Sequence, residues 1–341
     1  MRYQRIVGKG FQVHGIVPHL QTYVGTYLFI VHLQSKIYKR SRKGGGRLIR
    51  THREALTGWL FILPCLIGFG LLTLIPILFS LVLSFTDWNF LEGLKGIRFI
   101  GFENFIKMWS DEWFTKSLVN NIVFTIVVVP CTMILSLITA VILNDKVFLK
   151  STIRLMIFMP YISSIVAVSV VWAILYSPSY GPINSFLASL GISDLPGWLS
   201  STTWALPAII IMTIWMNIGY NMIIYLAGLQ GIPKELYEAA RIDGAGPITS
   251  FFKITVPLLS STSFFVLVTC IIQSFQVFAA IFIMTQGGPG NATSVITFYI
   301  YQTGFSFYDM GYASAMAWVL FLIVFLVTVF QWRGQKKWVN Y

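Results

Sequence analysis

The chain of 341 residues has little charge: 11% of its residues are Asp, Glu, Lys or Arg, whereas 56% are hydrophobic. A soluble globular domain carries roughly 25% charged residues. This shortage excludes an ordinary water-soluble fold and predicts a polytopic membrane protein. Cysteine is also scarce, and Cys65, Cys131 and Cys270 all lie in apolar runs. We expect them to be small buried apolar side chains, not disulfides or metal ligands.

The sequence also lacks the motifs of an enzyme. No phosphate-binding loop of the pattern G-x-x-x-x-G-K-[ST] occurs. No spacing suits a metal site or a nucleophile–base pair, and the four histidines all lie within the first 52 residues. We therefore expect a chain that catalyses no hydrolysis and binds no cofactor or metal itself.

The net charge of +12 is a property of the N-terminal tail. Residues 1–53 contain eleven Lys or Arg and no acidic residue. Nucleic-acid-binding modules interleave basic and aromatic residues on a folded surface, which this tail does not, so we expect no nucleic-acid partner. A cytoplasmic tail beside anionic lipid is favoured. Residues 16–33 predict an interfacial helix, with an extra span as the alternative, and residues 36–50 predict a flexible linker.

Six apolar stretches are long enough to cross a membrane, which predicts an all-α fold. They are approximately residues 57–84, 118–143, 152–176, 203–229, 260–285 and 310–332. We call them the first to sixth spans. The predicted organisation is a basic tail (1–53), a transmembrane domain (54–332) that includes a polar loop at 230–258, and a short tail (333–341). A short interfacial helix is expected at 294–301.

The distribution of basic residues predicts the orientation of the chain. If the N-terminus lies in the cytoplasm, only Lys95, Arg98, Lys107 and Lys116 fall on outer loops. This asymmetry fits the positive-inside rule. We therefore expect both termini and the 230–258 loop in the cytoplasm.

The loop between the fourth and fifth spans is the most polar stretch of the C-terminal half. Pro233 suits a first helical position, and Gly244 and Gly246 are expected to break the helix. Pro247 can begin a second helix, which Pro257 is expected to end. On this pattern alone, a loop lying at the lipid interface and a docking element are equally good interpretations.

Two motifs resemble those of a known family. The run EAARIDGAGPITSFFKITVPLL resembles the EAA loop of the membrane subunits of binding-protein-dependent ABC importers. Thr285–Pro289 resembles the T-x-G-G-P signature of the sugar-importing, MalF-like permeases. The resemblance covers residues 57–332. It implies the six-span type I importer permease fold, a multi-pass location in a prokaryotic inner membrane, and import of a sugar or oligosaccharide delivered by an extracytoplasmic solute-binding protein.

The resemblance also implies partners. They are a second permease subunit, forming a heterodimer, and two copies of a cytoplasmic ATPase that binds ATP and Mg. In the family, the EAA loop packs into a groove on the ATPase, where the motif glutamate pairs with an arginine. This role falls on Glu238, and Gly244 matches the motif glycine. The remaining residues of the implied docking surface are Tyr237, Ala239, Ala240 and Asp243, the last of which has capping of the helix break as its alternative role.

The solute path is expected on the fourth and fifth spans, because a sugar needs uncharged hydrogen-bonding groups and an aromatic face. By spacing, Thr213, Asn217 and Tyr220 share one face of the fourth span. Hydrogen bonding between helices explains any one of these residues equally well. The substrate-contacting positions of maltose-type permeases align with Thr213, Met216, Asn217, Tyr220, Cys270, Gln273, Ser274 and Val277. Ser274 and Val277 replace asparagines of the maltose subunit, so maltose itself is not implied.

Three alternatives remain open at this point. The first keeps the importer but changes its cargo to a glycerol phosphate or a polyol; a phosphate would favour Arg or Lys along the path. The second is an ion-coupled secondary transporter, which usually needs an ionisable residue within the membrane, and the predicted spans have none. The third is a non-transporting anchor. The outer loops, 85–117, 177–202 and 286–309, are expected to meet the binding protein, with Trp88, Phe102, Trp109 and Gly287–Gly290 exposed.

Overall fold

The computed structural model describes residues 47–144 and 148–335, and it describes side chains from residue 55 onward. The interfacial helix and most of the linker predicted for the N-terminal tail lie outside the described residues, as does the end of the C-terminal tail. The chain divides into two compact units, residues 1–74 and 75–341.

The first unit is helical where it is described. Helix Arg47–Phe69 contains Pro64 and leads into a π-helical turn at Gly70–Leu74. None of the side chains at 55–74 is buried. Exposed apolar side chains on every face are typical of a helix surrounded by lipid.

The described part of the second unit is mostly helical. Its α-helices are Ile75–Leu83, Glu103–Ser110, Glu112–Asn144, Lys150–Ile162, Ile165–Leu175, Pro182–Ser189, Ala205–Gln230, Lys234–Ile242, Pro247–Ser250, Val256–Leu258, Ser260–Phe275, Ala279–Met284, Ile296–Tyr301 and Met310–Gln335. The other elements are an antiparallel pair of short strands, Thr86–Asp87 with Arg98–Phe99, two 3₁₀ turns at Phe90–Gly96 and Trp198–Ser200, and two π turns at Phe251–Thr255 and Gln302–Ser306. The all-α prediction is confirmed.

Five helical stretches of the described chain are long and apolar enough to cross a membrane. They are Ala55–Leu83, Glu112–Asn144, Ala205–Gln230, Ser260–Met284 and Met310–Gln335. They correspond to the first, second, fourth, fifth and sixth predicted spans, and we keep those names for them.

The third span is not the continuous helix that hydropathy predicts. Lys150–Ile162 and Ile165–Leu175 are two helices bent by 97° at the break between them. Ser163 and Ser164 have extended ψ angles of 153° and 125°. Pro160, which has no backbone N–H to donate, lies in the last turn of the first of these two helices. The described part of the chain therefore has six spans only if this bent pair counts as one.

The second and fourth spans form the centre of the second unit. Phe124 and Val128 of the second span pack in one buried cluster with Ile209 and Met212 of the fourth. A second buried cluster joins the far ends of the same two helices to the start of the fifth span. These two helices are therefore the scaffold on which the cavity described below is built.

A carboxylate joins three elements at the end of the molecule opposite the 230–258 loop. Asp111 Oδ1 accepts hydrogen bonds from the backbone N–H groups of Trp113 (2.9 Å) and Phe114 (3.2 Å) at the start of the second span. Its Oδ2 accepts hydrogen bonds from the hydroxyl groups of Tyr299 (2.8 Å) and Tyr312 (2.6 Å).

The helix that carries Tyr299 corrects one prediction. A helix was expected at 294–301, and Ile296–Tyr301 is helical. However, Ile296, Phe298 and Tyr299 are buried, so this helix belongs to the protein interior and not to the lipid interface. An apolar hexapeptide does not distinguish burial in protein from burial in lipid.

The segment between the first and second spans also differs in part from expectation. Trp88, expected to be exposed, is only 7% exposed, and its indole N–H donates to the Gly93 carbonyl. The turn formed by the two short strands folds over it. Phe102 and Trp109 are exposed, at 67% and 87%, as expected.

Candidate functional site

A cavity of about 250 Å³ lies among the second, third, fourth and fifth spans, and the fifth span lines it with both of its helices, Ser260–Phe275 and Ala279–Met284. It is lined by Phe124, Val128, Thr132, Ile165, Thr213, Met216, Asn217, Cys270, Gln273, Ser274, Gln276, Val277, Phe278, Ala279 and Ala280. The structure thus brings together seven of the eight residues implied for the solute path, all except Tyr220.

The fourth span contributes polar groups in a row of hydrogen bonds along its own axis. The Thr213 hydroxyl donates to the Ile209 carbonyl (2.8 Å), and the Asn217 amide donates to the Thr213 carbonyl (2.8 Å). Asn221 repeats the pattern by donating to the Asn217 carbonyl (3.0 Å). Because the NH₂ group of Asn217 is held by its own helix, its side-chain oxygen stays available as an acceptor.

Ser274 on the fifth span also connects helices. Its hydroxyl lies 2.9 Å from Thr125 Oγ1 of the second span and 2.8 Å from the Ile271 carbonyl. The Ser274 carbonyl accepts a hydrogen bond from the Asn121 amide (3.2 Å). Ser274 therefore lines the cavity, as expected of a solute-path residue. It also forms a hydrogen bond between two spans, which was the alternative role considered for it.

Tyr220 is the one implied path residue that does not line the cavity. Its ring stacks on that of Tyr161 from the third span, with centroids 4.5 Å apart and an interplanar angle of 14°. Tyr161 precedes the break in the third span by two residues. The face shared by Thr213, Asn217 and Tyr220 therefore reaches past the cavity to the neighbouring helix.

Sequence reasoning missed one wall of the cavity. Phe124, Val128 and Thr132 line it from the second span, four residues apart and hence on one helical face. Most other residues of that helix are also apolar, so the sequence does not show which helical face lines the cavity. Thr132 is the only polar residue among the three.

The cavity lining is neutral and mostly apolar, with a smaller set of polar side chains. Its hydrogen-bonding side chains are two threonines, a serine, an asparagine and two glutamines, and no Asp, Glu, Lys, Arg or His lines it. Phe278 and Phe124 supply aromatic faces. Uncharged donors and acceptors beside aromatic rings suit a neutral, hydroxyl-rich ligand.

The 230–258 loop has the predicted helix, break and second helix. Pro233 is the N-cap of helix Lys234–Ile242, and Gly244 then adopts φ of +79°. A residue with a side chain rarely adopts this conformation. A new helix begins at Pro247.

The predicted end of this second helix is wrong. Pro257 lies within the helix Val256–Leu258, directly after the π turn Phe251–Thr255. In that turn, the backbone N–H of Val256 bonds to the Phe251 carbonyl, five residues earlier. The wider π turn shifts the hydrogen-bond register before the proline, which has no N–H to offer, so the chain stays helical.

The helix Lys234–Ile242, called the coupling helix below because the resemblance implies that role for it, has side chains in two groups. Tyr237 is half-buried, and its hydroxyl lies 2.8 Å from Thr255 Oγ1, which joins the two helices of the loop. Ala240 is also half-buried. The other implied coupling residues are exposed, namely Glu238, Ala239, Asp243 and Gly244. Asp243 is the C-cap residue, the alternative role considered for it.

Large apolar side chains are exposed beside Glu238 on the same loop. Ile242, Ile248 and Phe252 are 86%, 76% and 64% exposed. Within the described residues, Glu238 forms no salt bridge. An apolar surface next to an available carboxylate is the composition expected of a docking site.

The T-x-G-G-P motif forms a compact turn and lies outside the cavity. The hydroxyl groups of Thr285 and Thr293 are 2.7 Å apart, and Thr293 also donates to the Gly288 carbonyl (2.8 Å). Gly287 has φ of +81°, and an added Cβ would lie 2.5 Å from the Phe298 ring. Gly287 is buried, contrary to the expectation that it is exposed, because the turn packs against Phe298.

Comparison with known proteins identifies relatives over most of the chain. Residues 110–336 match the family described as "Binding-protein-dependent transport system inner membrane component". Lactose transport system permease protein LacF of Rhizobium radiobacter is 36% identical over 287 residues, which are 83% of this chain and 95% of LacF. The sn-glycerol-3-phosphate transport system permease protein UgpA of Yersinia pestis bv. Antiqua is 34% identical over 247 residues, 72% of this chain and 82% of UgpA.

A solved structure has the same fold. It is that of a bacterial ABC transporter involved in the import of the acidic polysaccharide alginate, with a TM-score of 0.74 at 23% identity, covering 86% of this chain and all of the other. Together with the matched family and the two permeases, this fold identifies the chain as a member of the family of inner membrane components of binding-protein-dependent transport systems.

Proposed function

We propose that this permease carries a sugar or an oligosaccharide across the membrane as one subunit of an ABC importer. The observation on which the proposal depends is the cavity, whose polar lining consists of hydroxyl and amide groups without an ionisable side chain. Such groups can exchange hydrogen bonds with the hydroxyl groups of a sugar. The relative LacF, named for lactose, supports a neutral saccharide.

A phosphate-bearing cargo is the second candidate, because the relative UgpA is named for sn-glycerol-3-phosphate. Phosphate recognition favours Arg or Lys, which form charge-assisted hydrogen bonds to its oxygens. No Arg or Lys lines the cavity, so this chain's own residues favour the neutral solute. Uptake of labelled lactose and of labelled sn-glycerol-3-phosphate by the same proteoliposomes separates the two candidates.

The proposed mechanism needs partners. A binding protein loaded with solute docks outside, and a second permease completes the passage. Two ATPase subunits, which bind ATP and Mg, close on each other in the cytoplasm. The coupling helix transmits that closure to the spans, and the cavity is exposed alternately to the two sides. In this orientation both termini are cytoplasmic, in agreement with the distribution of Lys and Arg.

The proposed contact with the ATPase depends on Glu238. Its carboxylate is exposed, as are the side chains of Ile242, Ile248 and Phe252 on the same loop, and the ATPase groove would cover this surface. A charge-assisted hydrogen bond that becomes buried on docking is worth about 1.5–3 kcal/mol. Tyr237 and Ala240 would hold the helix in place from its inner side.

The experiment compares Glu238→Ala with Glu235→Ala in liposomes that contain the partner subunits. Glu235 is an exposed carboxylate on the same helix, three residues earlier. We expect Glu238→Ala to lower ATP hydrolysis stimulated by the loaded binding protein by about tenfold or more, with less ATPase retained on purification. Glu235→Ala should remain within about twofold of wild type. Equal, small effects of both substitutions would remove the EAA loop from the mechanism and favour the anchor or ion-coupled alternatives.

A further inference from the structure

The second span forms a wall of the cavity to which sequence reasoning assigned no role. The wall consists of Phe124, Val128 and Thr132, which lie on one helical face because they are spaced by four residues. The first two are apolar and belong to the buried cluster with the fourth span. Thr132 is the one residue of this wall that can form a side-chain hydrogen bond.

The hydroxyl of Thr132 has no partner. The side chain is 1% exposed, and among the described residues Thr132 Oγ1 forms no hydrogen bond. Leaving a buried hydroxyl unpaired costs about 1–3 kcal/mol. Valine would fill nearly the same volume without that cost, so packing alone does not account for the hydroxyl.

Other threonines of the same chain avoid this cost. Thr125 and Thr139 lie on the same helix, seven residues before and after Thr132, and Thr213 lies across the cavity. Each donates to the carbonyl four residues earlier: Thr125 to Asn121 (2.8 Å), Thr139 to Leu135 (2.6 Å) and Thr213 to Ile209 (2.8 Å). Thr132 does not use the Val128 carbonyl in this way, although a helix offers it at the same spacing.

We propose that Thr132 is a specificity-determining residue of the solute path, and that its hydroxyl forms a hydrogen bond with a hydroxyl group of the transported sugar. This inference rests on the proposed function. A threonine hydroxyl is both donor and acceptor, which matches a sugar hydroxyl in either direction. The amides of Asn217 and Gln273 line the cavity from the fourth and fifth spans, so a solute between them and Thr132 is recognised from three spans.

A hydrogen bond to the solute would give the unpaired Thr132 hydroxyl a partner. Contact requires only rotation of the Thr132 side chain about χ1 or a small shift of the spans, and the alternation of the cavity supplies such shifts. A site that keeps a buried polar group for a ligand discriminates strongly against analogues that leave the group unpaired. Thr132 would therefore distinguish a sugar from its deoxy analogue.

The test uses Thr132→Val, which removes the hydroxyl and keeps the shape. The readouts are uptake kinetics in proteoliposomes with all partner subunits and the melting temperature of the purified chain in detergent. The probe is whichever of lactose, maltose and raffinose wild type takes up saturably, together with its monodeoxy analogues. Thr132→Ser keeps the hydroxyl, and Thr132→Ala removes it with a smaller side chain. Thr139→Val is the matched control, because Thr139 is a half-buried threonine two turns further along the same helix and does not line the cavity.

We expect Thr132→Val and Thr132→Ala to raise KM about fivefold or more without lowering Vmax, because one hydrogen bond to the solute is lost. Thr132→Ser and Thr139→Val should leave KM within about twofold. One monodeoxy analogue should be carried equally well by wild type and Thr132→Val. The melting temperature of Thr132→Val should be unchanged or higher, since no native hydrogen bond is lost, whereas a structural hydroxyl would make it lower.

Two results would overturn the inference alone: an unchanged KM for Thr132→Val, or an equal rise for Val and Ser, which would make shape rather than the hydroxyl responsible. A different result overturns the proposed function and this inference with it. That result is the absence of saturable uptake of any of the three sugars by wild type while loaded binding protein still stimulates ATP hydrolysis.

Discussion

At the scale of single residues, Asp111 shows how surroundings determine what a carboxyl group contributes. Its partial burial raises its pKa, but hydrogen bonds from Tyr312 and Tyr299 and from the backbone N–H groups of Phe114 and Trp113 outweigh burial. The pKa of Asp111 therefore lies below its usual value. A carboxylate whose folded-state pKa is lowered contributes stability at pH values above its unfolded pKa of about 3.9, and this contribution is lost as the pH falls through the folded-state pKa.

We expect Asp111→Asn to destabilise the chain at pH 7 by about 1–3 kcal/mol. In wild type, the hydroxyl groups of Tyr299 and Tyr312 both donate to Asp111 Oδ2. An amide NH₂ group in that position cannot accept these hydrogen bonds. The difference from wild type should shrink as the pH falls below about 4, because the carboxyl group is protonated first in the unfolded state and then, at lower pH, in the folded state. Thermal unfolding in detergent at pH 7 and pH 3 measures both effects. Glu112→Gln, which changes the exposed neighbouring acid, is the control, and equal melting temperatures for all three proteins at pH 7 would contradict the prediction.

At the scale of helices, Gly219 determines how closely the fourth span approaches the third. A Cβ added to Gly219 would lie 2.2 Å from the Ile157 carbonyl oxygen and 2.7 Å from Phe158 Cα. Both atoms belong to the backbone of helix Lys150–Ile162, so no side-chain rotation relieves the clash. Small residues at such crossings let membrane helices approach closely.

We therefore expect Gly219→Ala to separate these helices and to destabilise the chain by about 1–3 kcal/mol or more. Gly334→Ala is the matched control, because Gly334 is also helical and nothing lies within 4 Å of its added Cβ. That substitution should be neutral or slightly stabilising, since alanine favours the helix. Melting temperatures and the yield of monodisperse protein measure the difference. A normal melting temperature for Gly219→Ala would mean that the crossing tolerates the added atom.

The positions and ends of the helices show which parts of the fold the sequence could predict. Hydropathy located five of the spans, because a membrane imposes a minimum length of apolar residues. It did not show that the chain turns by 97° after Pro160, because an apolar run carries no information on direction. It also misplaced the helix Ile296–Tyr301 at the lipid interface and ended a helix at Pro257, where a π turn instead adjusts the hydrogen bonding.

The candidate site divides in a similar way. Thr213, Asn217 and Gln273 could be found because polar groups are conspicuous in an apolar span. Phe124 and Val128 could not, because the sequence does not distinguish an apolar side chain that faces a cavity from one that faces lipid. Thr132 differs from Thr125 and Thr139 in having an unpaired hydroxyl. Only the structure shows which hydroxyl groups are paired.

At the scale of the whole molecule, the arrangement of charge determines which source of energy can drive transport. The sequence has no Asp, Glu, Lys, Arg or His at 55–86, 117–144, 155–193, 195–233, 254–308 or 310–332. Proton-coupled transporters usually carry ionisable residues at membrane depth. This chain instead has, on the 230–258 loop, the exposed residues that we propose for coupling to the ATPase.

We therefore expect uptake to depend on ATP hydrolysis and not on an ion gradient. Proteoliposomes with the partner subunits should take up sugar when ATP is enclosed, and a protonophore or a sodium ionophore should leave the initial rate within about twofold, because no charge in the spans is coupled to the gradient. Replacing the ATPase with a hydrolysis-deficient variant should reduce uptake to the level of liposomes without protein. Uptake driven by an imposed proton or sodium gradient in the absence of ATP would instead assign the cavity to ion-coupled transport. If sodium drove the uptake, backbone carbonyl groups would be the expected ion ligands, since these are the alternative to charged side chains.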